Sequence, residues 1–157
     1  MLKAHLDLLR RAIDVARQAR AHGNHPFGAI LVDAHGSILL EAENSVVTDR
    51  DCTGHAELNL MRKASQQFDR SVLAECTLYT STEPCAMCAG SIFWGGVSRL
   101  VYGLSEVGLL EIVGDSAPDS FLSLPCREVF AHGLRSIEVI GPLLEDEARQ
   151  VHAGFWR

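Results

Sequence analysis

Cys85 and Cys88 stand three positions apart, directly after Pro84, in the stretch TSTEPCAMCAG (Thr80–Gly90). The spacing suits a redox pair, half of a structural zinc site, or part of a catalytic one. On the first turn of a helix it points both sulfurs the same way, and a proline just before them suits a helix start. The amino end of a helix also favours thiolates. A structural four-cysteine site needs a second CxxC, and the chain has none. A thioredoxin-like pair needs no partner histidine, but one is available. His55 opens a helical stretch and is followed two residues on by Glu57. Two cysteines and one histidine make three protein ligands, and three ligands leave a fourth zinc position for water, the catalytic pattern. Zinc brings the pKa of such a water from ~15.7 to near 7. Glu57 is suited to moving protons rather than binding metal, because residues two apart on a helix splay by ~200°. His55 or Glu57 alone would read as an ordinary surface or core residue; the cysteine pair turns both toward function.

The elements that must position these residues follow from apolar spacing. Leu6, Leu9, Ile13 and Ala16 mark a helix from Leu2 to about His22, stopped by HGNHP. Phe27–Asp33 reads as a buried strand, AHGS as a turn, and Ile38–Asn44 as the second strand of a hairpin. His55–Phe68 is helical by propensity, Glu75–Ser81 a third strand, Cys85–Gly96 a short helix, and Ser98–Gly103 a fourth strand. Leu104–Pro125 is rich in Gly, Ser, Asp and Pro and reads mostly as loop. A helix near Pro125–Gly133, a strand at Ser136–Ile140 and a closing helix over GPLLEDEARQVHAGFW complete the chain, with Pro142 near the first turn of the last. This alternation predicts an α/β fold: three layers, a central mixed sheet of about five strands, and helices on both faces. Residues 1–157 are expected to form one domain.

Composition narrows the function. Charged residues make up 22% of the chain and hydrophobic ones 47%, a globular balance. No apolar run approaches the ~18 residues a bilayer span needs. The first twenty residues carry charge throughout, unlike a signal peptide, so the expected compartment is the cytoplasm. Net charge is −6, with Lys3 and Lys63 the only lysines. Arg10, Arg11, Arg17 and Arg20 concentrate on the first helix, where a solvated face is the favoured reading over a phosphate track. Five cysteines without an export signal argue against a disulfide framework. Cys52, Cys76 and Cys126 read as buried small hydrophobes. His5, His22, His25, His35, His132 and His152 lack ligand spacing and read as surface residues. Phe93 and Trp94 read as core or interface.

HAE followed by PCAMC matches the H-x-E…P-C-x-x-C signature of zinc-dependent nucleobase deaminases, and the chain resembles the cytidine deaminase-like superfamily across about Pro26–Gly103. The resemblance implies zinc held by His55, Cys85 and Cys88, and Glu57 as the group that takes a proton from the zinc water and passes it to a ring nitrogen and the leaving ammonia. It implies that Asn44 hydrogen-bonds the base, that Phe27 packs on the substrate ring, and that the Ala56 amide meets a substrate carbonyl, with Trp94 a further pocket residue. HPFGA, LYTSTEPC and SIFWGG resemble bacterial guanine deaminases, which draw a second acid from the segment after the fourth strand; Asp119 in DSF is the better match there, beside Asp115. The tRNA adenosine deaminases share the zinc motifs but usually carry a basic last helix, whereas this one holds Glu145, Asp146 and Glu147. The expected substrate is therefore a small aminated heterocycle, a free base of guanine or cytosine type. A tRNA substrate and an inactive zinc-stabilised interaction module are the alternatives. A homodimer is expected, through the helix that carries Phe93 and Trp94.

Overall fold

A computed structural model describes residues 1–114 and 121–156. Its core is a five-stranded sheet in the order β2-β1-β3-β4-β5. β1 (Gly28–Val32) lies antiparallel to β2 (Ile38–Glu43) on one side and to β3 (Thr77–Thr82) on the other. β4 (Arg99–Leu104) and β5 (Glu138–Ile140) continue parallel to β3. The sheet is thus mixed, as the alternation of elements predicted.

Helices cover both faces. α2 (Ala56–Gln67), α4 (Ala86–Gly95) and α6 (Cys126–Ala131) pack on one face around Leu31, Leu60, Leu78, Ile92 and Leu100. The short α3 (Arg70–Leu73) lies on this side through Leu73. α1 (Leu2–Ala21), α5 (Glu106–Val113) and α7 (Glu145–Gln150) take the other face around Leu9, Ile13, Ile30 and Val101. Every residue of β1 is buried, which is why Phe27–Asp33 reads as a continuous apolar run rather than an alternating one.

Three elements depart from the sequence reading. α5 falls inside the stretch read as loop. EVGLLEIV supplies two apolar turns, and the Ser105 hydroxyl caps them by accepting from the Gly108 amide at 3.0 Å. The closing helix shrinks to six residues, because Gly141 and Leu144 take positive φ and hold Pro142 outside it. α3 was not anticipated.

Side-chain placement brings further corrections. Cys76 and Cys126 are buried as expected, but Cys52 is exposed, on the loop between β2 and α2. His152, read as a surface residue, is 1% exposed. His25 is half-buried, with its ring against Phe155 and Trp156. The arginines of α1 are largely engaged: Arg10 with Glu147, Arg11 with Glu41, Arg17 with Asp14, and Arg20 with the Val151 carbonyl.

Candidate active site

The site gathers at the amino ends of α2 and α4. His55 and Cys85 are the N-cap residues of those two helices, both in extended backbone conformation. Cys88 lies one turn into α4 and is fully buried. His55 Nδ1 stands 3.5 Å from Cys85 Sγ and 3.6 Å from Cys88 Sγ. All three ligand atoms lie within 4.8 Å of one another. A tetrahedral zinc with Zn–S of ~2.3 Å and Zn–N of ~2.0–2.1 Å sets its sulfur–nitrogen edges at about 3.6 Å. The donor set and its spacing therefore fit zinc. Electrostatics agree with a ligand cluster: hydrogen bonding from Cys88, and then from His55, lowers the Cys85 thiol to about 4. The bond with Cys85 raises His55, while donation to Cys85, together with burial, raises Cys88.

Glu57 lies outside the ligand cluster, on the first turn of α2, and is 4% exposed. Burial raises its pKa, and the Thr80 hydroxyl of β3, which donates to its carboxylate, opposes that rise. Its charge also adds to the rise of the Cys88 thiol. It thus stands beside the ligands without joining them, as the two-residue splay on α2 requires.

Asn44, just beyond β2, is 2% exposed; its backbone amide donates to the Phe27 carbonyl at 3.1 Å and its Oδ1 accepts from the Val46 amide at 3.0 Å. Its Nδ2 makes no hydrogen bond within the chain among the described residues. Ala56 opens α2, where first-turn amides have no partner in the helix. Phe27 packs edge-on against His152 and beside Trp156. Residues 152–156 thereby form an aromatic wall with Phe27 and His25, and His25 is close enough to His55 for their charges to interact. Trp94 stands apart. It is 77% exposed, with its ring against Phe93, on a groove of about 360 Å³ between α2 and α4 that none of the three metal-ligand residues lines. Asp115 and Asp119 lie outside the described residues.

Sequence reasoning missed several supporting groups. Asn24, buried, accepts from the amides of Val47 and Thr48 and so holds the loop that leads to His55. Asn59 donates to the Glu43 carbonyl and the Ser45 hydroxyl. Glu83, two residues before Cys85, accepts from the amides of Glu106 and Cys126, both at 3.0 Å. The EPC run was the one hint of this last role.

A mixed sheet with three zinc-type ligands and an off-metal carboxylate at two helix starts defines a hydrolytic metal site. The profile of the cytidine and deoxycytidylate deaminase zinc-binding region matches residues 2–104. The chain is 44% identical over 151 residues to a probable cytosine deaminase of Schizosaccharomyces pombe, covering 96% of this chain and 91% of that one. It is 38% identical over 99 residues to the tRNA-specific adenosine deaminase of Haemophilus influenzae, covering 63% and 57%. Among solved structures, the guanine deaminase of Nitrosomonas europaea superposes with a TM-score of 0.76 at 27% identity, covering 92% of this chain and 80% of the other. The chain belongs to the cytidine and deoxycytidylate deaminase zinc-binding family. It is a zinc-dependent hydrolytic deaminase.

Proposed function

We propose that residues 1–157 form one deaminase unit that releases ammonia from a free nucleobase of cytosine or guanine type. The observation that carries this reading is Glu57, a buried carboxylate held beside three zinc-type ligands but outside them. A purely structural metal site has no use for such a group, which argues against an inactive interaction module.

In this reading His55, Cys85 and Cys88 hold the zinc, which when bound makes a nucleophile available from water at neutral pH. Glu57 accepts a proton from water at its carboxylate and delivers it to a ring nitrogen; it then takes the remaining proton of the added hydroxyl and gives it to the departing amine. The carbon–nitrogen bond breaks, a carbonyl replaces the amino group, and ammonia leaves. The Thr80 hydroxyl orients the Glu57 carboxyl. Asn44 offers its Nδ2 hydrogens, and Ala56 its amide, to acceptors on the ring. Phe27, backed by His152 and Trp156, packs on the ring face. Asp119 remains the proposed second acid. Trp94, with its exposed ring, serves a substrate or a second copy of the chain; the homodimer reading places that copy over the groove between α2 and α4. No described helix is long and apolar enough to cross a membrane, and we place the enzyme in the cytoplasm. A small substrate is favoured over tRNA because Arg10, Arg11 and Arg17 already have carboxylate partners, leaving α1 little free charge for phosphates.

An ammonia-release screen of the zinc-loaded protein against free bases, nucleosides and a tRNA anticodon stem-loop tests this. Release from a free base is expected. Release from the stem-loop alone would move the protein to the tRNA branch, and release from none would favour the interaction module.

A further inference from the structure

Glu106 is the first residue of α5 and is 8% exposed. Its Oε1 accepts from the Ser123 hydroxyl at 2.8 Å. Its Oε2 is shielded from solvent and has no hydrogen-bond partner among the described residues. A buried carboxyl oxygen without a donor is costly, and local structure does not account for it. Ser105 already caps α5, and Glu83 already takes the Glu106 amide. No arginine or lysine side chain is bonded to the carboxyl among the described residues.

Three observations connect Glu106 to the loop that carries Cys85. First, β3 and β4 are parallel neighbours whose following helices leave to opposite faces, α4 to one and α5 to the other. Such a divergence opens a crevice at the carboxyl ends of the strands, where α/β sheets bind their ligands. Cys85 begins one wall of that crevice and Glu106 the other. Second, Glu83 holds the amide of Glu106 at 3.0 Å and so fixes the start of α5 to the loop that carries Cys85. Third, burial most strongly raises the pKa of the Glu106 carboxyl, and Glu83 and Cys85 lie close enough for their charges to add to the rise.

The missing partner is a hydrogen-bond donor. An aminated ring offers two kinds: the exocyclic amine, which the reaction removes, and the ring N–H, which survives it. We propose that Glu106 is a substrate-reading residue whose free carboxyl oxygen accepts a hydrogen bond from a ring N–H of the heterocycle. A free base carries that N–H; a base substituted at the same nitrogen lacks it. The inference rests on the free-base reading above and sharpens it: the enzyme selects its substrate class through this acceptor.

Steady-state kinetics of ammonia release test it with cytosine against 1-methylcytosine, and with guanine against its 1-methyl and 9-methyl forms. In the wild type, methylation at the nitrogen being read raises KM by roughly tenfold to a hundredfold, the range for a hydrogen bond to a charged group. Glu106→Gln keeps the bond to Ser123 and replaces the free acceptor by a donor. It raises KM for the free base by a similar factor, leaves KM for the methylated base unchanged, and alters kcat less. Zinc content stays constant. Ser123→Ala disturbs the carboxyl without removing the acceptor, so it preserves the ratio between free and methylated base. A wild type that treats every methylated base like the free one overturns the inference, and this arm decides it even if the variant fails to fold. Equal loss on both substrates in Glu106→Gln also overturns it. A wild type that accepts only nucleosides or the stem-loop overturns the free-base reading itself, and the inference with it; the wild-type screen reveals that outcome without any variant.

Discussion

At the scale of single residues, the roles assigned here separate metal binding from proton transfer. Glu57→Gln should retain one zinc per chain and lose turnover by ~10²–10⁴-fold, the usual worth of general acid–base catalysis. Metal analysis beside an ammonia assay checks both halves; a variant with a tenth of wild-type activity removes Glu57 from the mechanism. Cys88→Ser should instead lose the zinc and the activity together. His152 makes a prediction about stability. Burial lowers its pKa to about 4 from 6.5, so it is neutral in the fold. The unfolded chain binds its proton first as pH falls, so the stability it contributes is whole above pH 6.5 and drains away down to about pH 4. That loss is on the order of 3 kcal/mol at ~1.36 kcal/mol per unit. Urea unfolding at pH 7 and pH 4.5 should therefore show a smaller difference in His152→Phe than in the wild type. His55, Glu57, Cys85 and Cys88 were legible because their short spacings carry the chemistry. Glu106 and His152 were not. Their meaning comes from burial and from atoms left unpartnered, and sequence shows neither. Glu83 acts on Cys126, 43 residues away, and no local pattern announces such a reach.

At the scale of elements, the packing of the sheet depends on how closely β1 can approach α1. A Cβ added at Gly28 would sit 2.4 Å from the Ala16 amide nitrogen and 2.6 Å from the Ala12 carbonyl oxygen. Both are backbone atoms and cannot swing aside. Gly28→Ala should therefore cost about 1–3 kcal/mol or more, read from denaturant midpoints. Because Phe27 precedes Gly28, KM should rise as well. Most elements could be read from the chain because buried strands in this sheet are short apolar runs and the long helices keep regular apolar spacing. α5 escaped because its two turns were averaged with the Gly- and Pro-rich residues that follow. The closing helix was overextended because propensity does not register the positive φ of Gly141 and Leu144.

For the whole molecule, the distribution of charge and apolar surface bears on partners. Three arginines of α1 pair with carboxylates, so turnover of a free base should be nearly insensitive to ~50–200 mM salt, unlike binding to a phosphate backbone. If a second copy covers the groove between α2 and α4, Trp94→Asp should convert a dimer to a monomer by light scattering at micromolar concentration. A wild type already monomeric there would leave Trp94 a solvent-exposed residue.

The placement of the ligands on two helices also makes the metal a crosslink of the chain. His55 is 30 residues from Cys85 and 33 from Cys88. Between them lies β3, the middle strand of the sheet. Binding one ion to these residues closes a loop around the strand on which both halves of the sheet are built. A covalent link over a loop of that length restricts the unfolded chain by between about 3 and 4 kcal/mol in the loop-entropy account. Chelation should therefore lower the melting temperature of the entire domain, and hydrogen exchange should rise along the whole of β3, at its Thr77 end as well as at the end that leads to Cys85.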